Sequence, residues 1–359
     1  MKRILILEPY YGGSHKYFLE GLQKYVAVEY QLFALPARKW KMRMQLSAPW
    51  FVEQIKALPE CDRHFDCVLC STFVDVAVLR SLLIGVAGWN HSAKVLIYFH
   101  ENQFVYPQRF EEPVQYQFTN INFHSALASD GIAFNSEFNR QSFLSGCQRI
   151  LKRAQDMKLP GIIEKLYSKS LVLFPGIEFA EIDEMEWKRS SEIPVIVWNH
   201  RWEHDKNPES FFLALDLLEQ RGVDFRLIVL GQEFTGSPAC FAHAKIKYKN
   251  KILHYGFAPS YQQYIELLSQ GDIVVSTSHH EFFGISIIEA VRAGCIPLLP
   301  DRLSYPELFD EKFLYPDESL AEKLEKAIKK QCRLSPETAR AMTDQFSWLN
   351  LQRRYSEWL

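Results

Sequence analysis

The sequence predicts an α/β protein of two doubly wound parallel sheets, on three observations. Short runs rich in Val, Ile and Leu recur with helix-length segments between them; the series halts at Phe174-Pro175-Gly176; past that turn it starts afresh. Continuous apolar strands spaced by helical lengths are the pattern of parallel sheets covered on both faces.

In the first half the strands fall at residues 4–7, 30–35, 67–70, 95–99 and 131–134, and in the second at 195–198, 225–230, 252–255, 272–276 and 296–299. The stretch 178–192, crowded with Glu, Asp, Lys and Ser, suits a surface connection. This places the domains at 1–176 and 177–359. Trp348, Leu351, Tyr355 and Trp358 stand at helical spacing and predict a last helix over about residues 345–359. Open sheets of this kind bind ligands at the carboxyl ends of their strands.

Composition agrees and excludes several classes. A chain of 359 residues, 47% hydrophobic and 23% charged, has enough apolar surface for two cores and is far from the composition of disordered chains. A net charge of -2 rules out a polycation, so any contact with nucleic acid must rest on a local patch. The seven cysteines (61, 67, 70, 147, 240, 295 and 332) are odd in number and scattered, as in a reducing cytoplasm. Cys67 and Cys70 have the spacing of half a zinc site but lie in an apolar run with no matching second pair, and read as core thiols. No signal-peptide core or stretch of about 18 apolar residues is present, so a cytoplasmic location away from membranes is expected.

The richest segment is His279-His280-Glu281-Phe282-Phe283-Gly284-Ile285-Ser286-Ile287-Ile288-Glu289-Ala290. A strand, a glycine-bearing loop and then a helix aim backbone amides and a helix dipole at a phosphate. Glu281 precedes the helix and Glu289 lies more than a turn inside it, so each carboxylate meets hydroxyls on a different part of one ligand. A second segment, Trp198 to Pro208, carries Arg201 and Lys206 five residues apart just after a strand. No Asp-x-Asp occurs in the chain. In the first half, Gly12 and Gly13 allow a close backbone approach to a ligand, and Phe99-His100-Glu101-Asn102-Gln103 sets polar groups at a strand end. Residues 36–43 hold Arg38, Lys39, Lys41 and Arg43 around Trp40 with no acid, a combination suited to RNA phosphates and a stacked base.

The segment 279–290 resembles the Glu-x7-Glu motif of retaining family-four glycosyltransferases, and Arg201 with Lys206 resembles that group's Arg and Lys pair. The resemblance implies a GT-B fold: two Rossmann-like domains facing across a cleft, the N-terminal one for the acceptor, the C-terminal one for the donor, with the last helix packing back on the first. It further implies that Arg201 and Lys206 hold the donor diphosphate in place of a metal, with Gly12, Gly13, Phe283, Gly284 and Ile285 also around the donor. Glu289 takes the ribose, and Glu281 and His100 face the transferred sugar.

Segments 8–15, 99–103 and 198–208 together resemble one branch of that group, the tRNA-queuosine α-mannosyltransferases, from residue 3 to about residue 310. The implied reaction moves mannose from GDP-mannose to the cyclopentene diol of queuosine in the anticodon of aspartate tRNA. His15, Glu101, Asn102 and Gln103 are then candidates for the acceptor side, and the run 38–43 for RNA contact. His200 stands where many members have Gly, and Pro208 where Gly often follows the Lys. Two other readings stay open: a family-four enzyme with another donor and a glycan or lipid acceptor, and an inactive RNA-binding protein of the same fold.

Overall fold

A computed structural model describes residues 2–105, 116–186, 192–316, 319–330 and 333–359. Part of the polar connection (187–191) and Cys332 lie outside the described residues. The chain divides into two compact units: Met1–Ile177 together with Trp348–Leu359, and Glu178–Ser347. The linear division at 176 therefore needs one amendment, since the last twelve residues belong with the first unit.

In the first unit β1 (Arg3–Tyr11), β2 (Glu29–Pro36), β3 (Cys67–Ser71), β4 (Lys94–Phe99), β5 (Gly131–Phe134) and β6 (Ser170–Val172) form a parallel sheet ordered β2-β1-β3-β4-β5-β6. Because strand side chains alternate, Leu5, Leu7, Val68, Cys70, Val95 and Ile97 bury one face under the helices Trp40–Ala57, Val76–Leu83 and Glu137–Arg153. Ile4, Ile6, Cys67, Leu69, Leu96 and Tyr98 bury the other under the helices Gly13–Tyr25 and Trp348–Trp358. Cys67 and Cys70 are core thiols of β3, and burial pushes the Cys67 thiol up to about 12.

The last helix docks through Trp348, whose ring fills a slot that only glycines leave open. A Cβ on Gly21 would lie 2.0 Å from its Nε1, and one on Gly176 2.2 Å from its Cδ2. Tyr25 stacks on the same ring, with centroids 6.1 Å apart and planes 3° from parallel.

The second unit repeats the plan with β7 (Val195–Asn199), β8 (Arg226–Leu230), β9 (Ile252–Gly256), β10 (Ile273–Val275), β11 (Ile296–Pro300) and β12 (Leu314–Tyr315), ordered β12-β11-β10-β7-β8-β9 and all parallel. Its order reverses at β7 and β10, a switch point where a parallel sheet opens a crevice for a ligand. No helix among the described residues is long and apolar enough to cross a membrane.

Candidate active site

At the carboxyl end of β7 the chain turns through His200 and Arg201 into a short 3-10 turn, His204–Lys206. Asn207 then takes the left-handed conformation (φ 48°) and its side chain accepts from Ser210 N, capping the helix Pro208–Gln220. Asn tolerates this conformation and Pro is pre-set for the first helical position, which explains Pro208 in place of glycine. The turn buries Lys206 to 6% exposure. Its Nζ donates to His280 O at 2.7 Å and Glu281 Oε2 at 3.2 Å, with Asp205 Oδ2 at 3.5 Å. Burial by itself raises the Glu281 carboxyl, but Lys206 overrides it and holds the group down at about 2. Lys206 and Glu281 are thus one charged unit 75 residues apart in sequence.

Gly284 has φ 100°, a left-handed conformation open to glycine, and starts the helix Ile285–Arg292 with Phe283 before it. Arg201 is half exposed and pairs with Glu203 at 2.8 Å. His200 is buried, and burial followed by the Lys206 charge depresses its imidazole to about 3, so it is neutral.

Beside this cluster lies a cavity of about 450 Å³ whose lining includes Asn199, His200, Arg201, Phe257, Tyr261 and Tyr264. Glu289 is held next to it: Tyr261 donates to one carboxylate oxygen at 3.2 Å and Tyr264 to the other at 3.0 Å. Asn199 donates to Tyr264 Oη at 3.3 Å and to Ser286 O at 2.7 Å. Burial nevertheless raises the Glu289 carboxyl to about 7, the two tyrosines only moderating the shift. Unfolded, the group loses its proton near 4.5; folded, near 7. The folded state binds the extra proton between those values, so this group's contribution to stability falls as pH rises from 4.5 to 7. Glu289→Gln is expected to match the parent near pH 4 and to exceed its stability by up to about 3 kcal/mol near pH 8. Chemical denaturation at both pH values checks this.

In the first unit a second polar cluster collects at the ends of β1, β3 and β4. β1 runs on through Glu8 to Tyr11, so the segment expected as a loop after the strand is still strand, and the turn is confined to Gly12 and Gly13. Gly12 is extended, and a Cβ there would meet Ala37 Cβ at 2.5 Å, so packing demands the glycine. Gly13 (φ 52°) opens the helix Gly13–Tyr25, which carries His15. His15 Nδ1 lies 3.0 Å from Glu8 Oε2 and Nε2 3.3 Å from Glu101 Oε2. Glu8 also accepts from Tyr10 N and Ser71 Oγ, and Glu101 from Thr72 Oγ1. Burial alone lowers the His15 imidazole; Glu8 and then Glu101 outweigh it and hold the group up at about 10, an imidazolium donating to both. His100 stacks on His15 with centroids 4.1 Å apart, and burial, then that positive charge, hold it well below its usual range.

Three of the expected site residues have protein partners of their own. Both ring nitrogens of His15 lie against carboxylates and tie it to Glu8 and Glu101. Asn102 is fully buried: its Nδ2 donates to Asn139 Oδ1 and Ser142 Oγ, both at 2.9 Å, and its Oδ1 accepts from Phe104 N. These bonds fix the loop that follows β4. Trp40 is half-buried and its ring is tilted against Phe118 (centroids 5.1 Å apart) and Phe73 (6.2 Å). Gln103 is half-buried, its N–H bound to Asn122 Oδ1 at 2.9 Å. Arg38, Lys39 and Lys41 are exposed and Arg43 half-buried, around the start of the helix Trp40–Ala57.

A Drosophila melanogaster tRNA-queuosine alpha-mannosyltransferase is 35% identical over 357 residues, covering 96% of this chain and 90% of the fly protein. The chain belongs to the tRNA-queuosine α-mannosyltransferase family. Residues 3–177 of this family member match the domain described as tRNA-queuosine alpha-mannosyltransferase N-terminal, and residues 181–345 match glycosyl transferases group 1. A Xanthomonas campestris GDP-mannose:cellobiosyl-diphosphopolyprenol alpha-mannosyltransferase is 34% identical over 113 residues, 31% of this chain and 30% of that one. Among solved structures, an Anabaena HepE crystallised with UDP and glucose aligns with TM-score 0.64 at 14% identity over 99% of this chain and 98% of its own. A sucrose-phosphate synthase from Thermosynechococcus elongatus reaches 0.70 at 13% over 99% and 98%. These likenesses show the GT-B fold.

Sequence reasoning missed Glu8, Ser71 and Thr72 in the first cluster, and Asn199, Phe257, Tyr261 and Tyr264 around the cavity of this queuosine-family protein. Tyr261 and Tyr264 stand three apart on the helix Tyr261–Leu268, a spacing that puts both rings on one face and was a legible signal.

Proposed function

We propose that the protein transfers mannose from GDP-mannose to the cyclopentene diol of queuosine in tRNA, with retention of the α configuration. The observation that carries this reading is the 35% identity to a tRNA-queuosine mannosyltransferase across 96% of the chain. The charged pair Lys206–Glu281 and the adjoining cavity supply the chemistry a nucleotide-sugar requires.

In this reading Lys206 and Arg201 neutralise the diphosphate as it departs, aided by the amides that open the helix Ile285–Arg292, and no metal is needed. Glu289 accepts the ribose hydroxyls and Glu281 orients the mannose. Glu101 with Gln103 meets the acceptor. Arg38, Lys39, Lys41 and Arg43 take RNA phosphates. The leaving phosphate removes the proton from the attacking hydroxyl on the same face of the sugar, so the protein contributes position and fixed charge.

The test is incubation of purified protein with queuosine-containing tRNA and either GDP-mannose or UDP-galactose, followed by nucleoside mass spectrometry. A hexose gained with GDP-mannose alone, and lost in Glu281→Ala, is expected. A gain with UDP-galactose would overturn the donor assignment, and slow GDP-mannose hydrolysis with unmodified tRNA would overturn the acceptor.

A further inference from the structure

The cluster at the strand ends of the first unit has an unusual charge for a surface that meets RNA. Glu8 and Glu101 are two carboxylates, and His15 between them is a single imidazolium, so the three sum to one negative charge. Glu8 is buried; only Glu101 reaches the surface, with 13% of its side chain exposed. His100, stacked on His15, is neutral and leaves the balance unchanged. Each Glu101 oxygen already accepts one hydrogen bond, from Thr72 Oγ1 and from His15 Nε2, and each keeps lone-pair capacity for another donor.

The cationic run is close by on the same unit. Trp40 lies 6.2 Å from Phe73, and Phe73 stacks on His15 at 5.4 Å with planes 5° apart, so three rings join the Arg38 to Arg43 cations to the anionic cluster. A polyanion is drawn to the first and repelled by the second. A net negative group placed there lowers affinity for RNA unless the nucleoside brings a positive charge to it, which is how an interface rejects the wrong partner. Queuosine brings one: its diol-bearing ring is joined to the 7-deazaguanine through a secondary amine that is protonated near neutral pH.

We propose that Glu101 determines acceptor specificity by accepting a hydrogen bond from the secondary ammonium beside the diol, with His15 and Glu8 as positioning residues that hold its carboxylate in place. The inference rests on the acceptor reading above. It adds that the enzyme selects its nucleoside by charge as well as by the hydroxyl that is mannosylated. Unmodified guanosine, which lacks the cation, is then excluded by repulsion and not merely by the missing diol.

The experiment compares three anticodon stem-loops with the wild-type protein and GDP-mannose: one with queuosine, one with the amine N-methylated so that charge is kept, and one with it N-acetylated so that charge is removed. The methylated stem-loop is expected to keep kcat/KM within about threefold, and the acetylated one to lose about 10- to 100-fold, the worth of a charge-assisted hydrogen bond. In Glu101→Gln the KM for the queuosine stem-loop should rise by a similar factor, and the difference between methylated and acetylated acceptors should vanish, as coupling between the two groups requires. Glu101→Asp should recover part of the discrimination. Unchanged GDP-mannose affinity shows that the variants are folded. Equal kcat/KM for the two derivatives with the wild-type protein overturns the charge readout even where queuosine is mannosylated. No mannosylation of the queuosine stem-loop overturns the acceptor reading and this inference with it.

Discussion

Lys206→Met is expected to lower kcat for mannosyl transfer about 100- to 1,000-fold, the usual effect of removing a group that stabilises charge developing in the transition state. The variant should also lose stability. Lys206 is the counter-charge that keeps Glu281 ionised inside the protein, and without it burial pushes the carboxyl up and leaves it unpaired. Because Glu281 keeps 20% of its side chain at the surface, the loss should be about 2 to 3 kcal/mol, below the range for a fully buried orphan. Combining Lys206→Met with Glu281→Gln separates the two effects: the unfolding free energy returns toward that of the parent while transfer stays lost. Recovery of activity in the double variant would show that neither the lysine charge nor the glutamate carboxylate takes part in transfer.

The second large effect is expected at Gly231, immediately after β8 and in the cavity wall. Its φ of 151° falls where L side chains rarely go, and an added Cβ would stand 1.9 Å from His200 O. Neither obstacle has a flexible side chain to absorb it, since the clashing atom is backbone. Gly231→Ala must push the β8 end away from the β7 turn or leave its preferred conformation, and should cost about 3 kcal/mol or more. The same displacement moves Arg201 relative to Asn199, so GDP affinity measured by calorimetry should fall even in protein that remains folded. Tight GDP binding by a folded Gly231→Ala protein would show that the cavity does not take the nucleotide.

Much of the fold was legible because strands of a parallel sheet are continuous apolar runs, and ten of these stand out from their surroundings. The two that did not, β6 and β12, are edge strands of three and two residues, too short for any periodicity to register. The charged residues of the second unit's cluster were legible because loop, glycine and carboxylate occur within one short segment. What remained hidden is which polar groups consume one another. Glu8 looked like the start of a loop, yet it lies inside β1 and satisfies one side of His15; Asn102 looked available, yet Asn139 and Ser142 absorb its amide. Such pairings join residues tens of positions apart, and local pattern contains no record of them.

The slot for Trp348 has a consequence for synthesis of the chain. Translation delivers residues 1–177 first, but Leu351, Tyr355 and Trp348 of their second core layer follow only after the whole of 178–347 has been made. At ordinary elongation rates the wait is roughly ten to thirty seconds. During that interval Phe18, Leu22 and the ring of Tyr98 are left beside an unfilled groove on the ribosome-bound chain. The part of the protein made first is thus not finished until the last residues are made.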